Sequence, residues 1–330
     1  MPIPRHSMVF ILAMAFVTIS FATVSASPEP GNGRHPRILY LNSYHYGYEW
    51  SDSLSIGAMQ VFRQSAPEAR VYIEYLDGKH FELTEERMKA ELDRILGKYG
   101  PDFFDIVVTS DDPAFDFMRA YRDLLVPGKP VVFSGVNAAS ADDRQIPDGF
   151  TGIVEPFDYH GIVSMVRQVF PDRRTGYLIV DNSVTGRALV AMARKLADDV
   201  PDVTLNILDG ADLSHEDLLD VLRGLEDDAF VIIGVWQTDR TGNYFNVSEA
   251  FQDITNASTA PVFVILRTSL AIGYAGGVAI SGVHQGRIAA GMALRILEGA
   301  PVSSIPVTND NLYDRMLNRS AIERGWSVKW

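Results

Sequence analysis

The sequence contains no cysteine. This absence excludes disulfides, thiol catalysis, Cys-ligated zinc or iron–sulfur sites, and a lipid anchor on an N-terminal cysteine. Basic residues are also few, because 29 Lys and Arg stand against 42 Asp and Glu and give a formal net charge of −13. An acidic chain repels phosphate backbones and anionic lipids, so we expect no nucleic-acid partner and no membrane-surface binding.

Long apolar runs are missing from all but the N-terminus. There, Arg5 and His6 precede an apolar run from Met8 to Val24, which ends at the small residues Ser25 and Ala26. This layout is typical of a secretory signal peptide, although ~17 apolar residues is also the lower limit for an uncleaved spanning helix. We predict a cleaved signal over residues 1–26, a flexible Pro/Gly-rich leader over 27–36, and a periplasmic location.

Motifs that carry catalysis or cofactor chemistry are absent as well. The sequence has no G-x-x-x-x-G-K-[ST] phosphate loop, G-x-G-x-x-G, G-x-S-x-G or H-E-x-x-H. Its histidines are scattered without metal-ligand spacing. A secreted α/β hydrolase, the third function class considered, needs a nucleophile with a base in reach. No such pairing is visible, so we expect no enzyme, no cofactor and no metal site.

What the sequence does contain, from residue 37 onward, is an alternation of short β-branched runs with amphipathic helical patterns. That alternation is typical of βαβ units and parallel sheets, and ~250–300 residues is the size at which one core stops growing. We predict an α/β fold of two doubly wound parallel-sheet lobes. Lobe 1 would contain 37–137 and about 278–330, lobe 2 would contain 150–272, and 138–149 and 273–277 would be crossover hinges.

Candidate ligand-binding residues follow the predicted strands, because the carboxyl ends of parallel strands face the cleft between such lobes. Asp112 precedes a proline and is predicted to be a helix N-cap, which leaves Asp111 for the cleft. Arg267 suits a ligand carboxylate or a latch between the lobes. The aromatic residues would stack on a flat or cationic ligand, with packing on a helix as the alternative for Trp50 and helix capping for Ser183. The full set is Ser43, Tyr44, His45, Trp50, Asp111, Ser134, Gly135, Asn137, Glu155, Asp181, Ser183, Thr185, Trp236, Asp239 and Arg267.

Five segments, taken in order, resemble the ABC transporter substrate-binding family with the type I periplasmic-binding fold. The segments are LNSYH from Leu41, TSDDPA from Thr109, PVVFSGVN from Pro130, TGIVE from Thr151 and QGRIAA from Gln285. The opening S-Y-H and the S-D-D-P element are most similar to family members that serve as extracytoplasmic sensor domains of histidine kinases. No kinase follows in this sequence, so a freestanding binding protein is expected.

The resemblance implies a periplasmic solute-binding protein that closes on a small ligand by hinge bending and delivers it to an ABC permease. The alternative is a freestanding periplasmic ligand sensor for a membrane signalling partner. Family members closest to transport bind amino acids, which makes an amino acid or a related small carboxylate the first ligand to consider here.

Overall fold

The first sheet of the fold is parallel throughout, with the strand order β2-β1-β3-β4-β5. Its strands are β1 (Arg37–Asn42), β2 (Arg70–Tyr75), β3 (Ile106–Ser110), β4 (Val131–Asn137) and β5 (Phe150–Glu155). The computed structural model describes residues 35–137, 146–155, 158–267, 273–310 and 312–325. Within those ranges no helix is long and apolar enough to cross a membrane.

The second sheet has the order β11-β10-β9-β8-β6-β7. Its strands are β6 (Thr175–Val180), β7 (Thr204–Asp209), β8 (Ala229–Ile233), β9 (Val262–Leu266), β10 (Gly276–Ile280) and β11 (Tyr313–Leu317). All pairs are parallel except β10 with β11, so the last strand is an antiparallel edge strand. Two doubly wound α/β lobes, one for each sheet, confirm the predicted fold class.

Helices cover both sheets, as the amphipathic patterns predict. Among the described residues they are α1 (Glu49–Ser65), α2 (Glu85–Tyr99), α3 (Asp111–Leu125), α4 (Tyr159–Val169), α5 (Val184–Ala197), α6 (His215–Arg223), α7 (Val247–Ala257), α8 (Gly282–Leu297) and α9 (Arg319–Gly325). A capping box begins α6, where Ser214 and Asp217 bond reciprocally.

Helix α8 follows β10 of the second sheet in the chain but packs on α1 of lobe 1. The two helix backbones meet at glycines. A Cβ atom at Gly57 would lie 2.0 Å from the carbonyl oxygen of Val283, and one at Gly286 would lie 1.9 Å from that of Leu54. Any larger side chain at either position would therefore push the two helices apart.

Three strands lie elsewhere than the predicted lobe boundaries would put them. Strand β5 was expected to open lobe 2 but extends the first sheet, because it pairs in parallel with β4. Thr151 and Ile153 also bond to the chain at Ile305 and Thr308. Strands β10 and β11 lie in the second sheet, although 273–277 was expected to be a hinge and 278–330 to belong to lobe 1. The chain therefore passes between the sheets three times: after β5, between β10 and α8, and before β11. Residues 138–145 of the other expected hinge lie outside the described residues.

The prediction that Asp112 is the N-cap of α3 is wrong. Helix α3 begins at Asp111 after the N-cap residue Ser110, and Asp111 itself has a φ of 65°. The hydroxyl of Ser43 accepts the backbone N–H of Ala114 at 2.7 Å, so a residue of the preceding loop satisfies the first turn.

Candidate ligand-binding cleft

A cavity of about 510 Å³ lies between the carboxyl ends of the two sheets. Tyr44, Lys79 and Asp112 line it from lobe 1, and Asp181 and Gln237 line it from lobe 2. This is the size range of pockets that enclose small-molecule ligands. The described residues from 35 onward form one compact unit, so both walls belong to a single body.

A second cavity, of about 270 Å³, adjoins the first at Tyr244, which lines both. Its walls are largely aromatic, with Tyr48 and Trp50 from lobe 1 and Trp236 and Phe251 from lobe 2. Aromatic walls favour a flat or apolar group of a ligand. A polar cavity and an aromatic one thus lie side by side in the same cleft.

Hydrogen bonds join the lobes across this cleft. The hydroxyl of Tyr48 donates to Oε1 of Gln237 at 3.3 Å, and the hydroxyl of Ser248 donates to Oε1 of Glu49 at 3.1 Å. Few bonds of this kind need to break for the lobes to separate, and each neutral bond contributes only about 1 kcal/mol net.

Among the described residues, two basic side chains line the larger cavity, Lys79 and Arg187. Arg187 is exposed and donates to the carbonyl and the side-chain oxygen of Asn182. Lys79 is the more buried of the two.

The Nζ of Lys79 lies 4.7 Å from the ring centroid of Tyr44 and 5.2 Å from that of Tyr48, and the two rings pack edge to face at 4.9 Å. Among the described residues, no carboxylate lies within ion-pair distance of this ammonium. Burial lowers the pKa of Lys79, against the opposing fields of Asp181 and Asp111. A partly buried ammonium held only by aromatic faces favours an incoming anionic group.

Asp111 and Asp112 divide their roles differently from the prediction. Asp111 accepts the indole N–H of Trp50 at 2.8 Å and is 4% exposed, whereas Asp112 lines the large cavity. Burial raises the pKa of Asp111 to about 8, and the neighbouring charge of Asp112 adds to the rise. Asp112 accepts the side-chain amide of Asn137 at 2.5 Å and its backbone N–H at 3.3 Å.

Behind these two carboxylates lies a buried network around Gln285. Gln285 accepts the N–H of Gly135 at 2.9 Å and donates to Oε1 of Glu155 at 2.7 Å. Burial, followed by the charge of Asp111, raises the pKa of Glu155 well above its usual range. Gly135 has a φ of 71°, and a Cβ there would lie 3.0 Å from Oδ1 of Asp111, so this turn needs glycine. Gly135 therefore lies behind the cleft wall and lines neither cavity. Ser134 also lies there, and its hydroxyl donates to the carbonyl oxygen of Thr109 at 3.1 Å.

In lobe 2 the predicted residues mostly hold loops in place. Asp181 accepts the N–H groups of Ser183 at 3.0 Å and Gln237 at 2.9 Å, and the hydroxyl of Ser183 accepts from Gly186 at 3.1 Å. Asp181, Ser183 and Thr185 nevertheless line the larger cavity. Ser183 therefore caps the start of α5, as the alternative interpretation proposes, and also lines the cleft.

Trp236 and Asp239 also have internal partners. The indole of Trp236 is fully buried and donates to Nδ1 of His215 at 3.0 Å, while its ring lines the aromatic cavity. Asp239 accepts the N–H groups of His215 and Thr241, each at 2.9 Å, and lines neither of the two cavities.

Arg267 lies apart from the two cavities. Its guanidinium pairs with Asp314 in a separate pocket beside Ser281 and His284. Asp239 and Glu155, the acidic candidates for a latch between the lobes, take no part in that pair. Lys79, one of the two basic residues that line the large cavity among the described residues, follows β2 and obeys the same strand-end rule as the predicted residues.

Comparison with known proteins identifies the family. The family described as ABC transporter substrate binding protein matches residues 111–325. This chain belongs to that family. No curated protein matches the sequence.

Solved structures share the fold at low sequence identity. The ABC domain from Streptococcus pneumoniae in complex with L-Trp is 14% identical, with a TM-score of 0.64 over 88% of this chain and 94% of that one. A ligand-free, open substrate-binding protein with adhesive properties from Clostridium difficile is 13% identical, with a TM-score of 0.63 over 87% and 94%. A periplasmic solute-binding protein from Actinobacillus succinogenes with bound D-allose is 14% identical, with a TM-score of 0.55 over 87% and 99%. The type I periplasmic-binding fold predicted from the sequence is thus confirmed.

Proposed function

We propose that this protein is an exported solute-binding protein that captures a small carboxylate, with an amino acid first in rank, for an ABC importer. The observation that carries the ligand class is the ammonium of Lys79, which faces a cavity of about 510 Å³ and has no ion-pair partner among the described residues. A carboxylate placed there would supply the missing countercharge and form a charge-assisted hydrogen bond.

The remainder of the cleft suits the other parts of an amino acid. Asp112 lines the same cavity and places a carboxylate there for an ammonium group. The adjoining aromatic cavity, lined by Tyr48, Trp50 and Trp236, offers a place for an apolar or flat side chain. The L-Trp complex of the structurally similar domain from Streptococcus pneumoniae supports this order of candidates.

Capture would proceed by rotation of the two lobes about the chain segments that cross between the sheets. Two of the three crossings run through described residues, between β10 and α8 at Ser281 and before β11 at Leu312. The bonds from Tyr48 to Gln237 and from Ser248 to Glu49 would close last and open first. The importer would then recognise the closed form, which only the ligand makes dominant.

A thermal-shift screen of amino acids, small carboxylates, nucleosides and sugars tests the ligand class. A ligand at about 100 times its dissociation constant adds ~2.7 kcal/mol to the free energy of unfolding and raises the midpoint accordingly. We expect compounds with a carboxylate to give the shifts. Stabilisation by neutral sugars or nucleosides alone would contradict the proposal.

Small-angle scattering with and without the best compound tests closure. We expect the radius of gyration to fall at saturation, because the cleft closes around the ligand. An unchanged radius at saturation would argue against hinged capture. Binding of the liganded form to a membrane sensor, rather than to a permease in reconstituted vesicles, would favour the signalling alternative.

A further inference from the structure

Two histidines and an aspartate from two loops of lobe 1 meet beside the aromatic cavity, which His45 lines. His45 comes from the loop between β1 and α1, and Asp77 and His80 come from the loop between β2 and α2. The Nδ1 atoms of His45 and His80 lie 3.5 Å and 2.8 Å from Oδ1 of Asp77. Ligand atoms of all three residues lie within 4.8 Å of one another.

Two of the three candidate ligand atoms, Oδ1 of Asp77 and Nδ1 of His45, lack a hydrogen-bond partner among the described residues. Both atoms are inaccessible to solvent, and neither makes a well-directed hydrogen bond within the cluster. Buried polar atoms in native proteins almost always have a partner, so this pair calls for one. The two imidazole rings stack face to face, with centroids 3.9 Å apart and planes 20° from parallel.

The backbone holds the carboxylate in this position. Asp77 has a φ of 57°, a left-handed conformation that aspartate adopts more readily than most residues. The N–H of Gly78 donates to the carbonyl of Ser43 at 2.9 Å, which ties the two loops together beside the cluster. The side chain of His80 is about half exposed (49%) and is therefore the member free to adjust.

These donors fit a borderline divalent ion. Imidazole nitrogen and carboxylate oxygen suit Zn²⁺, Co²⁺ or Ni²⁺, whereas Mg²⁺ and Ca²⁺ prefer all-oxygen sites. Bonds of about 2.0–2.1 Å to a tetrahedral Zn²⁺ put two ligand atoms about 3.4 Å apart. The separation of His45 and Asp77 already matches that value at 3.5 Å. The exposed His80 ring would have to rotate out of its stack on His45 to bring the third ligand to the same distance.

We propose that His45, Asp77 and His80 bind one divalent transition-metal ion such as Zn²⁺, with water in the remaining position. The ion would clamp together two loops that carry Tyr44, Tyr48 and Lys79, which form the lobe 1 wall of the cleft. The proposal rests on the cluster alone, and its test needs no knowledge of the solute.

Calorimetric titration of tag-free, chelator-treated protein with Zn²⁺, and separately with Mg²⁺, tests the site. We expect one equivalent of Zn²⁺ to bind and Mg²⁺ to give no signal at the same concentration. His80→Ala and Asp77→Asn should each weaken Zn²⁺ binding at least tenfold, because each removes one ligand of three. Asn keeps the left-handed backbone conformation at position 77, which separates loss of the ligand from loss of the fold.

His160→Ala is the matched control. His160 also contacts an aspartate, with Nε2 lying 3.5 Å from Asp199, but this pair belongs to no three-residue cluster among the described residues. We expect the variant to bind Zn²⁺ within twofold of the parent. A parent that binds no better than the double variant Asp77→Asn/His80→Ala, or an equal loss in His160→Ala, would overturn the proposal.

The visible spectrum of Co²⁺ gives a second readout. We expect intense bands of low-coordinate Co²⁺ in the parent and their absence in His80→Ala. Circular dichroism of both metal-free proteins would verify that the variant is folded. Bands of equal intensity in a folded variant would contradict the assignment of His80 as a ligand.

Discussion

In the lobe 1 wall of the cleft, Asp111 and Lys79 have no opposite charge within ion-pair distance among the described residues, whereas two carboxylates of the lobe 2 loops are satisfied by backbone N–H groups. In lobe 1, Asp111 has the neutral indole of Trp50 as its donor, and Lys79 has two tyrosine faces. In lobe 2, Asp181 and Asp239 each accept two backbone N–H groups. Aspartates thus organise loops in lobe 2, whereas in lobe 1 Asp111 and Lys79 have only neutral or aromatic neighbours as described partners.

This difference indicates which lobe recognises the charge of the ligand. A carboxylate saturated by backbone donors stabilises a loop and gains little from a ligand. A partly buried ammonium without a countercharge gains a partner when a carboxylate enters. We therefore expect lobe 1 to select the ligand by charge and lobe 2 to close over it.

The largest expected difference between the two walls is in the pH dependence of the free energy of unfolding. Burial raises the pKa of Asp111 to about 8, above the ~3.9 of an unfolded aspartate, so the folded state binds the proton more tightly. The stabilisation is complete below about pH 4 and is lost as the pH rises towards about 8. The free energy of unfolding should fall by up to ~1.4 kcal/mol per pH unit in that window. Urea unfolding at pH 5, 6.5 and 8 measures it.

Asp111→Asn should flatten that slope, and Asn also tolerates the left-handed φ of position 111. Asp239→Asn is the lobe 2 counterpart. Burial pushes the pKa of Asp239 up, but hydrogen bonds from Thr241 and from the backbone of His215 hold the pKa below its ordinary value. Its contribution is present above the unfolded pKa and is lost only in acid, so this variant should lose the same stability at pH 5 and pH 8. An unchanged slope in Asp111→Asn would refute the assignment.

Removing one indole N–H from each wall gives a smaller effect. Trp50→Phe leaves the buried Oδ1 of Asp111 without its donor at 2.8 Å, which should cost about 1–3 kcal/mol of unfolding free energy. Trp236→Phe removes the bond to His215, which is half-buried and also contacts Asp253 at 3.3 Å. We expect about 0.5–1.5 kcal/mol there. Thermal or urea unfolding at pH 8 compares them, and a larger loss in Trp236→Phe would reverse the ranking.

Arg267→Ala should have the smallest effect. Its pair with Asp314 is substantially exposed on both sides, at 42% and 37%, and exposed pairs contribute ~0–1 kcal/mol. Because the pair lies outside the two cavities of the cleft, we expect the affinity for the ligand found in the screen to change by less than twofold. A tenfold loss by calorimetry would restore Arg267 to the binding site.

The sequence predicted elements with strong periodicity and missed those without it. Strands such as β3 and β8 are short buried apolar runs between turns, which the pattern identifies directly. Strand β10 begins with Gly276 and Gly277, which look like a turn, and β11 is a partly exposed edge strand with charged residues. Their position in the second sheet depends on tertiary pairing that no local pattern contains.

The candidate site was predicted at the level of loops rather than of roles. The strand-end rule selects loops that place Tyr44, Asp181 and Trp236 in the walls of the two cavities. It could not tell that Asp314, distant in sequence, pairs with Arg267. The same rule, applied to the loop after β2, selects Lys79.

A thermodynamic binding cycle tests whether the ammonium of Lys79 recognises the carboxylate of the ligand. Four dissociation constants are measured by calorimetry, for the parent and Lys79→Met, each with the ligand from the screen and with its carboxamide analogue. Lys89→Met, on exposed helix α2 and paired with Asp93, is the control. We predict that Lys79→Met loses ~2–5 kcal/mol for the carboxylate and little for the amide, because only the carboxylate meets the buried ammonium. Equal losses for both ligands, or none for either, would contradict recognition of the carboxylate by Lys79.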